Sequence, residues 1–156
     1  MLEMQKQKLV SVLPPAAIAD NTSPTTNVID TLGFETLTVI VYYGAMDIAT
    51  TALKIQEADA ASSSTALTSG ADVTGLVYAT STNSAGSTSS LPSATDDNTF
   101  YVFHINLKGR KRYLKPVITV GDGAAGTYVT IIGILGRGKQ IPATASGRGA
   151  NQELII

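Results

Sequence analysis

The chain has 156 residues with no cysteine and a formal net charge of −1. That length fits one domain and excludes a disulfide framework or thiolate metal site, while the near-neutral charge argues against nucleic acid as the main partner. Charged residues make up 15%, against ~25% in ordinary soluble domains, and Thr, Ser, Ala and Gly take their place.

Gln7–Leu13 alternates weakly and predicts a first strand, which Pro14-Pro15 ends. The apolar stretch before those prolines is too short for a signal-peptide core or a membrane span. Residues 16–26 read as an irregular link, and the Asn21-Thr22-Ser23 glycosylation string within it is uninformative with Pro24 beside it. Asn27–Thr31 predicts a short strand and Leu32-Gly33 a turn or bulge. Glu35–Tyr43 is the clearest early strand: Leu37, Val39, Val41 and Tyr43 share one parity. Gly44–Asp47 reads as a connection and Thr51–Glu57 as a strand with Leu53 and Ile55 inward. Ala58–Gly70 is loop-like, Val73–Tyr78 a strand interrupted by Gly75, and Ala79–Asn98 a long polar loop of the kind that carries function or motion.

Thr99–Leu135 is the densest β region. Three runs, Thr99–Leu107, Arg112–Val120 and Thr127–Leu135, are separated by Lys108-Gly109-Arg110-Lys111 and by Gly121–Gly126. Tight turns between alternating runs predict an antiparallel meander. Pro116 cannot donate to a ladder, which predicts an edge or a bulge there. Thr127–Leu135, apolar on both faces around Ile131 and Ile132, predicts a central strand or one packed on a partner chain. About eight strands and no helix of more than two turns predict an all-β fold: an antiparallel jelly roll or a similar Greek-key sandwich over residues 1–136, followed by an extended C-terminal arm over 137–156.

Chemical motifs fail on context. Gly121-x-Gly123-x-x-Gly126 matches a dinucleotide fingerprint, but the β-rich TYVTIIGIL follows where a helix is required. Its glycines read instead as hairpin residues at positive φ. Gly133-x-x-x-x-Gly138-Lys139-Gln140 lacks the Mg²⁺-binding hydroxyl and runs into Pro142. His104 is the only histidine, with no oriented acid or nucleophile signalled nearby. Asp96-Asp97 lacks a spaced third ligand for Ca²⁺ and reads as a side-chain turn. The expectation is a non-enzymatic protein with no cofactor and no metal site. Lys108, Arg110, Lys111 and Arg112 form either a solvated hairpin tip or a contact for an acidic partner. Arg137 and Arg148, each within a Gly-Arg-Gly triplet of the arm, complete the candidate contact cations.

The order KLVSVLPPAAIADN, IDTLGFETLTVIVYYGAMDIATTALKIQEAD, then LPSATDDNTFYVFHINLKGRKRYLKPVITVGDGAAGTYVTIIGILGRG resembles small virion proteins of tailed bacteriophages, specifically their capsid decoration (cement) proteins. The likeness runs from about Lys8 to Gly138 and is sharpest at Leu32-Gly33, at Asp47-Ile48-Ala49, and from Asp96-Asp97-Asn98 to Arg112-Tyr113-Leu114. It implies a jelly-roll-like fold, no catalysis, self-association as a homotrimer, and binding to the major capsid protein on the virion's capsid exterior, without nucleic acid or membrane. Two rival expectations are another virion component, such as a tail, neck or head-fibre protein, and a glycan-binding sandwich. The second would need an exposed aromatic platform, whereas strand alternation suggests that most of the six tyrosines are packed.

Overall fold

The computed structural model describes residues 3–16, 18–139 and 144–154. Its ten strands are β1 (Lys8–Leu13), β2 (Ile29–Asp30), β3 (Thr36–Met46), β4 (Thr50–Ala58), β5 (Ala60–Ser63), β6 (Ala66–Thr68), β7 (Ala71–Val77), β8 (Phe100–Asn106), β9 (Tyr113–Val120) and β10 (Thr127–Gly136). Eight of them form two four-stranded antiparallel sheets, ordered β1-β10-β3-β8 and β2-β9-β4-β7. The pairs β4–β7, β3–β8, β2–β9 and β1–β10 are nested. The chain is one long hairpin rolled into a sandwich, which is the jelly-roll topology. The remaining pair, β5–β6, forms the tip of that hairpin and folds back toward β4 and β9.

Strand parity sets the core. Leu37, Val39, Val41 and Tyr43 of β3 and Leu114, Ile118 and Val120 of β9 are buried with Leu53 and Ile55 of β4 and Ile131 and Leu135 of β10 in a single apolar cluster. A one-residue slip in any of these strands would exchange that face for the outer one. β10 is central in its sheet, as its two-sided apolarity predicts.

The meander is corrected. β8 pairs with β3, β9 with β2 and β4, and β10 with β1 and β3, so no two of β8, β9 and β10 are partners. Both linking turns are corners that carry the chain from one sheet to the other. The first needs Gly109 at φ +78°. In the second only Gly126 has positive φ, at +82°. Gly121 and Gly123 are there for close approach: a Cβ would lie 2.9 Å from the Ala49 carbonyl oxygen and 2.5 Å from Asp47 Oδ1, respectively. Asp47 latches this corner, accepting from the backbone N–H groups of Ala125 and of Gly126, the latter at 2.7 Å, and Asp20 accepts from Gly123 N–H at 2.8 Å. A strand follows the glycine string.

Other local expectations shift for similar reasons. β3 runs on through Gly44 to Met46, whose N–H donates to Asp97 Oδ1 at 2.7 Å. Residues 58–70 are not loop but contain the β5–β6 hairpin. Pro116 lies in a strand flanked on both sides, yet its environment there is edge-like, because β2 pairs only with Tyr113 and Leu114. The Pro116 carbonyl accepts the Thr26 hydroxyl, on the side away from β4. A residue's N and C=O share one side of a strand, so the missing N–H removes no bond to β4.

The segment beyond β10 is turned back on the body. Lys139 N–H donates to the Gly33 carbonyl at 2.8 Å, and a short 3₁₀ turn at Ser146–Arg148 lies by β1. A Cβ on Gly149 would fall 2.0 Å from the Leu9 carbonyl oxygen. Gln140, Pro142 and the terminal Ile-Ile lie outside the described residues.

Gly33 and Gly126 separate conformational strain from close approach. Both have positive φ, but only at Gly126 does an added Cβ meet backbone, 2.5 Å from the Ala19 carbonyl oxygen. Gly33→Ala is expected to cost about 1 kcal/mol, and Gly126→Ala clearly more. Asp47→Ala, which strands two N–H donors, is expected to cost about 2 kcal/mol or more. Urea unfolding of the three variants checks the ranking.

A candidate docking face and the fate of the cations

The outer faces of the two sheets differ. On the β2-β9-β4-β7 sheet, Lys54 Nζ reaches Asp72 at 2.7 Å and Gln56 donates to the same carboxylate at 2.8 Å. Lys115 Nζ donates to the Thr65 carbonyl at 2.7 Å, and Val28 N–H to that of Ser64, so the β5–β6 hairpin is tied down over this side. This face is polar and partly covered.

The outer face of β1-β10-β3-β8 is apolar at its centre. Register places Ser11, Ile132, Ile40 and Val102 in one row across the four strands, with Leu9 and Ile134 in the next. Tyr42 lies opposite Phe100, their rings stacked at 4.6 Å. Phe100 is 64% exposed, Tyr128 51% and Ile132 43%. A shallow pocket of about 150 Å³ opens between Tyr42 and Tyr128 over Gly44, where a Cβ would come 3.1 Å from Tyr128 Cβ. The alternation argument for packed tyrosines therefore holds for Tyr43, Tyr78 and Tyr101, whose rings meet edge to face, and fails for Tyr42 and Tyr128. Burial raises the Tyr43 hydroxyl's pKa. Burial, followed by the hydrogen bond to Asp96, pushes Tyr101 up to about 12.

The cations that cluster in sequence separate in space. Arg112 grips Asp30 with Nε at 2.9 Å and Nη2 at 2.7 Å, and lies over the Tyr113 ring. Lys111 pairs with Asp59 at 3.1 Å, and Arg110 reaches Glu57 at 3.5 Å. Arg148 is buried against the Glu153 carboxylate. These four have carboxylates within their own chain. Lys108 and Arg137 instead line a groove of about 1000 Å³ at the end of the apolar face, joined by Lys139, which lacks any signal in local charge density. His104 lines the same groove.

The Ala79–Asn98 loop is internally bonded. Asn83 Oδ1 accepts from Ala85 and Ser87 N–H, and Ser89 bonds back to Ser81. Asp96 accepts from Ser93 N–H at 2.6 Å and from Tyr101 Oη at 3.1 Å. Both acids of the Asp96-Asp97 pair are thus occupied as side-chain caps. Among the described residues no group of three His, Cys, Asp or Glu could hold a metal, and no helix is long and apolar enough to cross a membrane.

No family model matches the chain, and no curated protein matches it. Among solved structures it is similar to the SPBc2 prophage-derived protein YomS, with 15% identity and a TM-score of 0.45 over 83% of this chain and 91% of that one.

Acid stability follows from these contacts. The Arg112 hydrogen bond holds Asp30 below the usual carboxylate range, that of Lys54 does so for Asp72, and the Ser93 N–H for Asp96. Folded-state values below the unfolded ones give stability that is present above about pH 4 and lost as pH falls through the folded values. Thermal midpoints are expected to be flat from neutral pH to about pH 5 and to drop below pH 4. Asp30→Asn should make that drop shallower, and calorimetry across pH 2–7 checks it.

Proposed function

We infer that this chain is a non-enzymatic virion structural protein: a decoration protein that self-associates and binds the major capsid protein on the outside of a phage head. The observation that carries the reading is the one-sided surface. One sheet of the jelly roll is polar and partly covered, while the other presents Ile40, Val102, Ile132, Phe100 and Tyr128 outward. Contiguous exposed apolar surface of this kind marks a protein–protein contact. The resemblance of the chain to tailed-phage decoration proteins supplies the assembly. Each contact can be weak, because a lattice of repeated sites adds them through multivalency.

A second reading is favoured by one observation. The Tyr42–Phe100 stack, its Phe100 ring exposed and Tyr128 beside it, is an aromatic platform of the type a sugar ring stacks on. Under that reading the protein is a glycan-binding module, and Phe100→Ala removes binding to immobilised glycans.

The two separate cleanly in experiment. Capsids assembled from the major capsid protein encoded nearest this gene are mixed with the wild type and with Phe100→Glu/Ile132→Glu. Co-sedimentation of the wild type, with occupancy lowered more than about tenfold in the variant, is expected. Equal occupancy, or no binding by the wild type, overturns the capsid reading. Light scattering on the same samples is expected to give a trimer for the wild type and a smaller species for the variant.

A further inference from the structure

We propose that the groove at the end of the apolar face binds an acidic, extended segment of a partner protein. Its floor is β3 at Thr36 and Thr38, preceded by Phe34 and Glu35. On one bank stands Lys108, after β8; on the other stand Arg137 and Lys139, after β10. Cations thus flank both sides of a floor that offers hydroxyl groups.

These cations differ from five others of the chain. Lys54, Arg110, Lys111, Arg112 and Arg148 each pair with a carboxylate. Among the described residues Lys108, Arg137 and Lys139 form no ion pair. Glu35 is the one acid on the groove's lining and makes none with them. The lining carries a net positive charge, with three cations against Glu35 and no ion pair among them.

The backbone holds the banks in place. Lys139 N–H is bonded to the Gly33 carbonyl at 2.8 Å, Glu35 N–H to Gly136 at 3.2 Å, and Leu107 N–H to Glu35 at 2.9 Å. Arg137 is held at φ +52°, a left-handed conformation unfavourable for a side chain of this size. At Gly136 a Cβ would come 2.8 Å from Thr36 Oγ1, so glycine keeps the floor clear just before Arg137.

Charge complementarity selects the occupant. Arg137 can take a carboxylate through two N–H groups, and the lysines add point charges at either bank. Three cations offset by Glu35 are too few for a phosphate backbone, whose binding scales with the number of charges neutralised. A segment with spaced Asp or Glu side chains matches the number. The inference does not depend on what docks on the apolar sheet face, and either could fail without the other.

The test is fluorescence anisotropy with a labelled decapeptide of alternating Glu and Thr, beside a Lys–Thr decapeptide and a ten-residue oligothymidylate. Binding of the acidic peptide that weakens with added salt, and by more than about tenfold in Lys108→Glu/Arg137→Glu/Lys139→Glu, is expected. Phe100→Glu should leave it unchanged. Amide spectra of the wild type titrated with the same peptide locate the contact without any substitution, with shifts expected at Thr36, Thr38, Lys108 and Arg137. No binding at about 1 mM, equal binding by the triple variant, shifts confined to other residues, or tighter binding of the oligothymidylate would each overturn the proposal.

Discussion

One apolar layer lies between the two sheets, and it accepts a single parity from each strand. Leu37, Val39, Val41 and Tyr43 enter it from β3, and Leu114, Ile118 and Val120 from β9. Burying side chains of this size contributes about 1.5–3 kcal/mol each, so a slipped register is not competitive. Once parity is fixed, everything outward is fixed with it. Ile40, Tyr42, Val102 and Ile132 cannot turn inward, because their neighbours in sequence already fill the layer. Their outward placement is a consequence of register, and the protein has left them apolar where Thr or Lys would have served a solvated surface.

The corners impose a second condition. A rolled hairpin must cross between sheets wherever consecutive strands lie in different layers, and each crossing strands backbone donors. Asp47 and Asp20 satisfy the one between β9 and β10, and Asp97 serves Met46 at the end of β3. Several of the acids are thereby committed to backbone groups, and Asp30, Glu57 and Asp59 are committed to Arg112, Arg110 and Lys111. The cations around β3's first residues remain without such partners, which is how a chain of nearly neutral charge comes to have a locally positive groove.

Local patterns were readable in advance, and long-range ones were not. Period-two alternation identified the inward residues of β3 and β9, because it depends only on neighbours in sequence. Turn chemistry at Lys108–Lys111 and Gly121–Gly126 is the same for a hairpin and for a corner between sheets, so the meander could not be told from the rolled arrangement. The need for glycine at 121 and 123 arises from Asp47, Ile48 and Ala49, which are remote in sequence. The β5–β6 hairpin was hidden by its Ala/Ser/Thr composition, since small residues carry little alternation. Charge density points to Lys108–Arg112, yet Asp30 of β2, Glu57 of β4 and Asp59 just after β4 arrive to neutralise most of it. The remaining groove joins Lys108 to Arg137 and Lys139, a grouping that only the adjacency of β8, β3 and β10 creates.

The nesting of the four strand pairs also sets an order of assembly. β4 and β7 are joined by the shortest connection, and each pair outward encloses the one before, ending with β1 against β10. Loop-closure entropy rises with the length enclosed, so the inner pair closes at least cost and the outermost closes over a loop already shortened by the others. Zipping from the middle of the chain outward is the inexpensive route, and β1 is its last step. A φ-value series would show this as high values near β4 and β7 and low ones in β1. Until β1 seats, the matching side of β10 is open to an equivalent strand from a neighbouring copy.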